Sequence, residues 1–286
     1  VKEFFPEGCW REGCTVVSAG KWNSDTYSDA KQKFLLEGRT LGQFNHPGIV
    51  QVFYYFEENN TAYMVMEYLQ GKTLAELLKK RKGQLSEAEA LANIAKVGEA
   101  LDILHQAQFL HRDIKPDNIM LADDGRVVLI DFGAARDFTS KNTVRYTTLL
   151  TPGYAPLEQY GRALKYGAFT DIYALGSTLY HLLTGFAPVS AIERAAGVEL
   201  KTVKELEPEV SSHVSQAIAK AMTMDVTQRT QSVREFLDLL HLDPAKLETK
   251  VEPTNFYHSV EDPWNIFSQT KASSPPRSRS NTTQWF

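Results

Sequence analysis

Two short segments concentrate the residues that could do chemistry. The first is His111-Arg112-Asp113-Ile114-Lys115-Pro116-Asp117-Asn118, and the second is Asp131-Phe132-Gly133. Apolar runs at residues 101–110, 119–121 and 127–130 flank them and predict buried helix and strand ends. Carboxylates at the edges of two buried strands predict a shared site for a metal ion and a proton.

The composition predicts a soluble globular protein with a sizeable core. The chain has 286 residues, 43% hydrophobic residues and a formal charge of −4, which argues against nonspecific nucleic-acid binding. No apolar run approaches the ~18–20 residues of a membrane span. Cys9 and Cys14 lack the second cysteine pair or nearby histidine of a zinc site, so they read as ordinary thiols of a cytoplasmic protein, with a redox pair as the alternative.

The order of hydrophobic patterns predicts strands first and helices afterwards. The predicted strands lie near residues 49–56 and 61–68, and residues 7–26 read as a loop. Predicted helices lie near residues 28–44, 73–82, 86–106, 170–184, 211–224 and 232–240. The third of them should open on a capping box at Ser86 and Glu89, and the fourth should be buried on nearly every side.

Five motifs, in this order and spacing, resemble the eukaryotic-like (Hanks-type) protein kinase family, most closely its bacterial serine/threonine members. They are Lys2, Glu37, His111-Arg112-Asp113 with Asn118, Asp131-Phe132-Gly133, and Ala155-Pro156-Leu157-Glu158. The resemblance implies an α+β, bilobal protein-kinase-like fold. It divides the matched chain into a small, partial, β-rich N-lobe at 1–69, which lacks the glycine-rich loop and first strands, and a mainly helical C-lobe at 70–245. The composition of residues 246–286, which is rich in Pro, Ser and Thr, predicts a disordered linker or tail.

The resemblance implies a serine/threonine protein kinase that uses ATP and Mg²⁺. Asp113 is then the base that takes the proton of the acceptor hydroxyl, and Lys115 is the cation beside the transferred phosphoryl group. Asn118 and Asp131 offer the oxygen ligands that Mg²⁺ prefers. For Asn118, a turn residue that hydrogen-bonds its own backbone is the alternative.

The same resemblance implies a nucleotide site. Lys2 would pair with Glu37 and hold the α- and β-phosphates, although each alone could be a surface charge. The residues expected around adenine are Met66 as gatekeeper, the backbone of Glu67 and Leu69, and Met120 as the floor of the pocket. Plain core packing is the alternative for the apolar members of this set.

Regulatory and structural roles follow from the resemblance too. Arg112 would bind a phosphate on the loop between Asp131 and Glu158, a loop whose alternative is a plain flexible segment. Its candidate sites are Thr143, Thr147, Thr148 and Thr151, of which Thr151 resembles the residue bridging Asp113 and Lys115. The residues given structural roles are His111 beneath Phe132, Asp171 as anchor of the catalytic loop, Asp117 as a loop-fixing residue, and Glu158 with Arg229 as a buried ion pair.

One departure from the family concerns the beginning of the chain. The glycine-rich loop of the family precedes the strand lysine, whereas nothing precedes Val1. We therefore expect a fragment of a longer protein, either cytoplasmic or the cytoplasmic part of a membrane-tethered one. Expected partners are ATP and protein substrates, with self-phosphorylation in the 131–158 loop and no nucleic acid. A kinase-fold binding module without catalysis is the alternative, and the segment 151–156 argues against a small-molecule kinase.

Overall fold

Strands and helices divide along the chain in the computed structural model, which describes residues 1–18, 20, 22–81, 83–133, 136–137 (backbone only), 150–161 and 166–242. The strands are β1 (Lys2–Glu3), β2 (Trp10–Glu12), β3 (Thr15–Val17), β4 (Val52–Glu58), β5 (Thr61–Met66), β6 (Gly71–Thr73), β7 (Phe109–Leu110), β8 (Ile119–Ala122), β9 (Val127–Leu129) and β10 (Arg136–Asp137). The helices are α1 (Ser24–Leu41), α2 (Leu74–Lys80), α3 (Glu87–Gln106), α4 (Ala168–Thr184), α5 (Ala191–Ala195), α6 (Val203–Leu206), α7 (Ser212–Ala221) and α8 (Val233–Leu239). Short 3-10 helices cover Pro116–Asn118 and Leu157–Gln159.

The β-rich part is built on an antiparallel sheet with strand order β1-β5-β4, in which Lys2 pairs with Met64. Helix α1 starts where the Asn23 side chain accepts a hydrogen bond of 2.8 Å from the amide of Thr26. The helix packs closely on the sheet at Gly38, because a Cβ there would lie 2.9 Å from the Cβ of Tyr55. This close approach brings the neighbouring Glu37 towards Lys2.

The prediction of a loop over residues 7–26 is wrong. The segment contains an antiparallel hairpin of β2 and β3, and α1 already begins at Ser24. The hairpin depends on distant partners, since the amide of Val16 donates to the carbonyl of Asn59 at 2.9 Å and the Asn60 side chain donates to the carbonyl of Val16 at 2.8 Å. Strands of three residues are too short for a hydrophobic period to predict them.

The helical part is organised around α4. Its side chains are buried at most positions, and α3 and α7 pack against it, as the run of apolar residues predicts. Helix α3 opens on the predicted capping box of Ser86 and Glu89. Helices α5 and α6 and strands β6 and β7 were not predicted, because each is too short to show a period.

The residues that could do chemistry lie on the connections between β7, β8 and β9. Strands β6, β8 and β9 form an antiparallel sheet in which Met120 pairs with Val128, and Ile119, Val128 and Leu129 are fully buried. This buried sheet fixes the end of the 111–118 segment and the start of the 131–133 segment, whereas the 111–118 segment begins directly after β7, which pairs with β10. The architecture is therefore α+β, with a β-rich first part and a helical second part, as expected.

The predicted tail, residues 246–286, lies outside the described residues. Among the residues that the structure describes, no helix is both long and apolar enough to cross a bilayer.

Candidate active site

A hydroxyl, a carboxylate and an ammonium group meet at the centre of the site. The hydroxyl of Thr151 donates to Oδ1 of Asp113 at 2.9 Å and accepts from Nζ of Lys115 at 2.9 Å. Nζ of Lys115 also lies 2.8 Å from Oδ2 of Asp113. An alcohol oxygen can thus sit between a base and a cation, which is the arrangement that transfer of a group to an alcohol requires.

The 111–118 segment is held in shape by its own short elements. Pro116 is the first residue of the 3-10 helix, where its missing N–H and fixed φ suit a helix start. The amide side chain of Asn118 donates to the carbonyl and to Oδ2 of Asp113, both at 2.8 Å. Ile114, between Asp113 and Lys115, is fully buried and anchors the segment to the core.

Asp171, at the start of α4, holds the backbone of the same segment. Its carboxylate accepts hydrogen bonds from the amides of His111 at 2.9 Å and Arg112 at 2.7 Å, and Nε2 of His105 lies 2.9 Å from Oδ2. Burial alone would raise the pKa of Asp171, but the hydrogen bond with His105, the nearby imidazoles and the amide of Arg112 outweigh it and lower the pKa. The carboxylate is therefore a charged structural anchor.

The structural role of His105 was not predicted from the sequence. It lies in the last turn of α3, and its partner Asp171 is 66 residues away. A contact of that separation leaves no local pattern, and only the carboxylate of Asp171 could have pointed to a missing partner.

Lys2 and Glu37 face each other between the sheet and α1. Nζ of Lys2 lies 3.0 Å from Oε1 of Glu37 and 3.4 Å from Oδ1 of Asp131. Burial opposes the charge of Lys2, but the two carboxylates outweigh it and raise the pKa of this lysine. Burial raises the pKa of Glu37, against the opposing effect of Lys2. The side chain of Lys2 is 39% exposed and so remains accessible to an anion.

Asn118 and Asp131 present oxygen atoms that fit Mg²⁺. The amide nitrogen of Asn118 is used by Asp113, so the oxygen of this buried side chain remains for another partner. The carboxylate of Asp131 is 56% exposed and uses Oδ1 for Lys2 and for the amide of Gly133. Asp131 has a φ of 62°, the left-handed conformation that turns its side chain away from the strand direction. Both donors are hard oxygens of the kind that Mg²⁺ prefers.

The residues expected around adenine lie at the end of β5 and on β8. Met66, Leu69 and Met120 are half-buried, and the first two pack against the core. The amide of Glu67 donates to the carbonyl of Gln51 at 2.9 Å, so only the carbonyl of this residue is available to a nucleotide. The carboxylate of Glu67 forms a salt bridge with Arg126, whose Nη2 lies 3.0 Å from Oε2 of Glu67. Their roles towards adenine stay predictions.

Arg112 is well placed to receive an anion. Its guanidinium lies over the ring of Tyr166 at 4.6 Å, and its Nε is buried without a hydrogen-bond partner among the described residues. Of its expected partners, Thr143, Thr147 and Thr148 lie outside the described residues. Thr151 is described, and it serves Asp113 and Lys115 as reported above.

The segment after Thr151 is tied to the helical part by Glu158. Its carboxylate accepts hydrogen bonds from Arg229 at 2.6 and 3.2 Å, and a third of 3.2 Å from the hydroxyl of Thr170. Both side chains are almost fully buried. Gly153 has a φ of 89°, and a Cβ there would lie 2.9 Å from the carbonyl oxygen of Pro188, so this turn requires glycine.

Comparison with known proteins identifies the family. The family described as "Protein kinase domain" matches residues 9–246. The chain belongs to the eukaryotic-like (Hanks-type) protein kinase family. The match begins after Lys2, so the place of Lys2 in this kinase domain rests on its contacts with Glu37 and Asp131.

The relatives of this kinase domain are bacterial serine/threonine kinases. It is 34% identical to "Serine/threonine-protein kinase B" of Synechocystis sp. over 74% of this chain and 38% of that protein. It is 34% identical to PknA of Mycobacterium tuberculosis over 72% and 50%, and 32% identical to PrkC of Bacillus subtilis over 71% and 32%. The chain thus spans about a third to a half of the length of these relatives.

A solved structure supports the same assignment. The kinase domain aligns with a structure titled "PpkA-294 apo form" with a TM-score of 0.72 and 30% identity, covering 83% of this chain and 85% of that one. The protein-kinase fold predicted from the motifs is confirmed.

Two further residues of the 111–118 segment, His111 and Asp117, were given structural roles. The rings of His111 and Phe132 are 4.5 Å apart, so His111 packs against Phe132. Burial lowers the pKa of this fully buried imidazole. Asp117 is exposed, and its role as a loop-fixing residue stays a prediction.

Proposed function

We propose that the complete protein is a serine/threonine protein kinase that transfers the γ-phosphate of ATP to the hydroxyl of a protein serine or threonine. The observation that carries the proposal is the hydroxyl of Thr151, held 2.9 Å from both Asp113 and Lys115. A substrate hydroxyl placed beside it would meet the same base and the same cation. The two free thiols, Cys9 and Cys14, fit a reducing compartment such as the cytoplasm.

The chemistry assigns each residue one task. Asp113 accepts the proton of the substrate hydroxyl as the new O–P bond forms and the bond between the β- and γ-phosphates breaks, leaving ADP. Lys115 stabilises the negative charge on the transferred group. Lys2, held by Glu37, orients the α- and β-phosphates. Asn118 and Asp131 would hold Mg²⁺, which when bound neutralises the charge of the β- and γ-phosphates.

Regulation by phosphate is the second part of the proposal. The Nε of Arg112, which is buried and has no hydrogen-bond partner in the described part of the chain, supports an anion partner, and a phosphothreonine from the 131–158 loop would satisfy it. Thr143, Thr147 and Thr148 are the expected acceptors of self-phosphorylation. Phosphopeptide mapping of the protein after incubation with ATP tests this, and an unmodified loop in an active enzyme contradicts it.

The activity is tested with the complete protein, ATP, Mg²⁺ and dephosphorylated casein as a generic acceptor. We expect phosphoserine or phosphothreonine by mass spectrometry, and a loss of about 10²–10⁴-fold in kcat for Asp113→Asn. The exposed Asp238 of α8 offers a matched control, because Asp238→Asn makes the same chemical change on the surface. A wild-type protein that binds ATP without transferring phosphate would support a binding module instead.

A further inference from the structure

The backbone of Arg112 is strained. Its φ is 66°, a left-handed conformation that a long, non-glycine side chain rarely adopts. Such a conformation persists only where surrounding groups hold it, and it directly precedes Asp113. The groups that hold Arg112 therefore decide where the carboxylate of Asp113 stands.

One side of Arg112 is held by the anchor already described. Its amide donates to Oδ1 of Asp171 at 2.7 Å. Asp171 is fully buried at the start of α4 and accepts a second amide, that of His111. This contact fixes the peptide group before Arg112 but leaves the following one free to rotate.

The other side is held by Gln159. Nε2 of Gln159 donates to the carbonyl oxygen of Arg112 at 2.9 Å, and this glutamine is only 9% exposed. The carbonyl belongs to the peptide group that joins Arg112 to Asp113. Gln159 therefore fixes the orientation of the backbone from which the Asp113 side chain projects.

The donor is itself rigidly placed. Gln159 ends the 3-10 helix Leu157–Gln159, and its neighbour Glu158 is locked by Arg229. Thr151, at the other end of the same segment, touches the carboxylate of Asp113. The segment 151–159 thus contacts this region at two points. Thr151 binds the side chain of Asp113, and Gln159 binds the peptide group that joins Arg112 to Asp113.

We infer that Gln159 is a positioning residue for phosphoryl transfer, which couples the order of the 151–159 segment to the placement of Asp113. Gln159 touches no reacting atom in this scheme. Its loss should lower kcat and leave the KM for ATP nearly unchanged, because the groups expected to bind ATP do not contact it. The inference rests on the proposed kinase activity.

The test uses two substitutions that keep the volume of the side chain and remove its donor, Gln159→Glu and Gln159→Met. In the complete protein, with ATP, Mg²⁺ and casein, we expect kcat to fall about tenfold or more in both variants. Asn93→Leu is the matched control, because Asn93 is equally buried at 9% and also donates to a backbone carbonyl, that of Glu89 at 2.7 Å within α3. It should leave kcat within about twofold of wild type.

Hydrogen–deuterium exchange gives a readout that does not depend on activity. Peptides covering residues 109–118 should exchange faster in both Gln159 variants than in wild type or Asn93→Leu. Full kcat in Gln159→Met, or unchanged exchange of these peptides, would overturn the inference. If the wild type were inactive and the Gln159 variants still showed faster exchange, the proposed function would be refuted. The role of Gln159 in holding the backbone of Arg112 would then still be supported.

Discussion

The carboxylate of Glu158 and the guanidinium of Arg229 form a bidentate ion pair in the interior, with contacts of 2.6 and 3.2 Å. The side chains are 2% and 0% exposed. The pair joins the 3-10 helix Leu157–Gln159 to the turn that precedes α8. Its partners are 71 residues apart, so it closes a large part of the helical region.

Removal of one partner of this pair should destabilise the fold strongly. Arg229→Met leaves the Glu158 carboxylate buried without its cation, which costs about 3–5 kcal/mol of unfolding free energy. Urea denaturation measures the loss. Lys220→Ala is the control, because the Lys220–Glu235 pair has a similar distance of 2.7 Å but side chains that are 43% and 38% exposed. An exposed pair contributes about 0–1 kcal/mol, so equal losses in the two variants would contradict the prediction.

The hydroxyl of Thr151 should matter for turnover more than its methyl group does. Thr151→Val keeps the shape and removes the hydrogen bonds with Asp113 and Lys115, and we expect kcat to fall about tenfold or more. Thr151→Ser keeps the hydroxyl and should remain within about threefold of wild type. Steady-state kinetics with casein separates the two, and equal activity of both variants would show that the hydroxyl is dispensable.

Lys2 and Glu37 should act as a unit in nucleotide binding. Lys2→Met removes the cation and Glu37→Gln weakens the contact that aims it, so each should reduce ATP affinity, while the double variant loses less than the sum. Titration calorimetry of the wild type, the two single variants and the double variant with ATP and Mg²⁺ measures the coupling free energy between Lys2 and Glu37. Lys79→Met, on the exposed face of α2, controls for loss of a positive charge. Strict additivity of the two losses would contradict a joint role.

Stability should fall on mild acidification because His111 is buried in its neutral form. Its pKa lies below the ordinary value of 6.5 because burial disfavours the charged ring, and its Nδ1 accepts a hydrogen bond of 3.4 Å from the amide of Asp113. Below about pH 6.5 the imidazole of His111 binds a proton in the unfolded chain but not in the folded chain. The free energy of unfolding therefore falls from about pH 6.5 down to the pKa of the folded state, by up to about 1.4 kcal/mol per pH unit.

His111→Phe should flatten this pH dependence, since it removes the titrating group and keeps an aromatic ring beside Phe132. Denaturant unfolding at about pH 8 and about pH 5.5 measures the difference. Phe132→Leu perturbs the same contact without removing a titratable group, so it should lower stability at both pH values and keep the wild-type slope. Equal slopes for His111→Phe and wild type would show that His111 is not responsible.

The motifs carried most of the family assignment because residue type and spacing encode the chemistry directly. An HRD-type segment with Asp113, Lys115 and Asn118 specifies a base, a cation and an oxygen ligand whatever the surrounding packing. Long elements such as α3 and α4 also showed their period plainly. The hairpin of β2 and β3 did not, because its partners Asn59 and Asn60 lie far along the chain.

The sequence by itself determined the family, the chemical groups of the site and the long helices, since these depend on local order along the chain. Only the tertiary structure decided how the site is held. The hydrogen bonds of Gln159 with Arg112 and of His105 with Asp171 join residues 47 and 66 positions apart. Such contacts arise when separate elements pack together, and a chain read in order contains no pattern that specifies them.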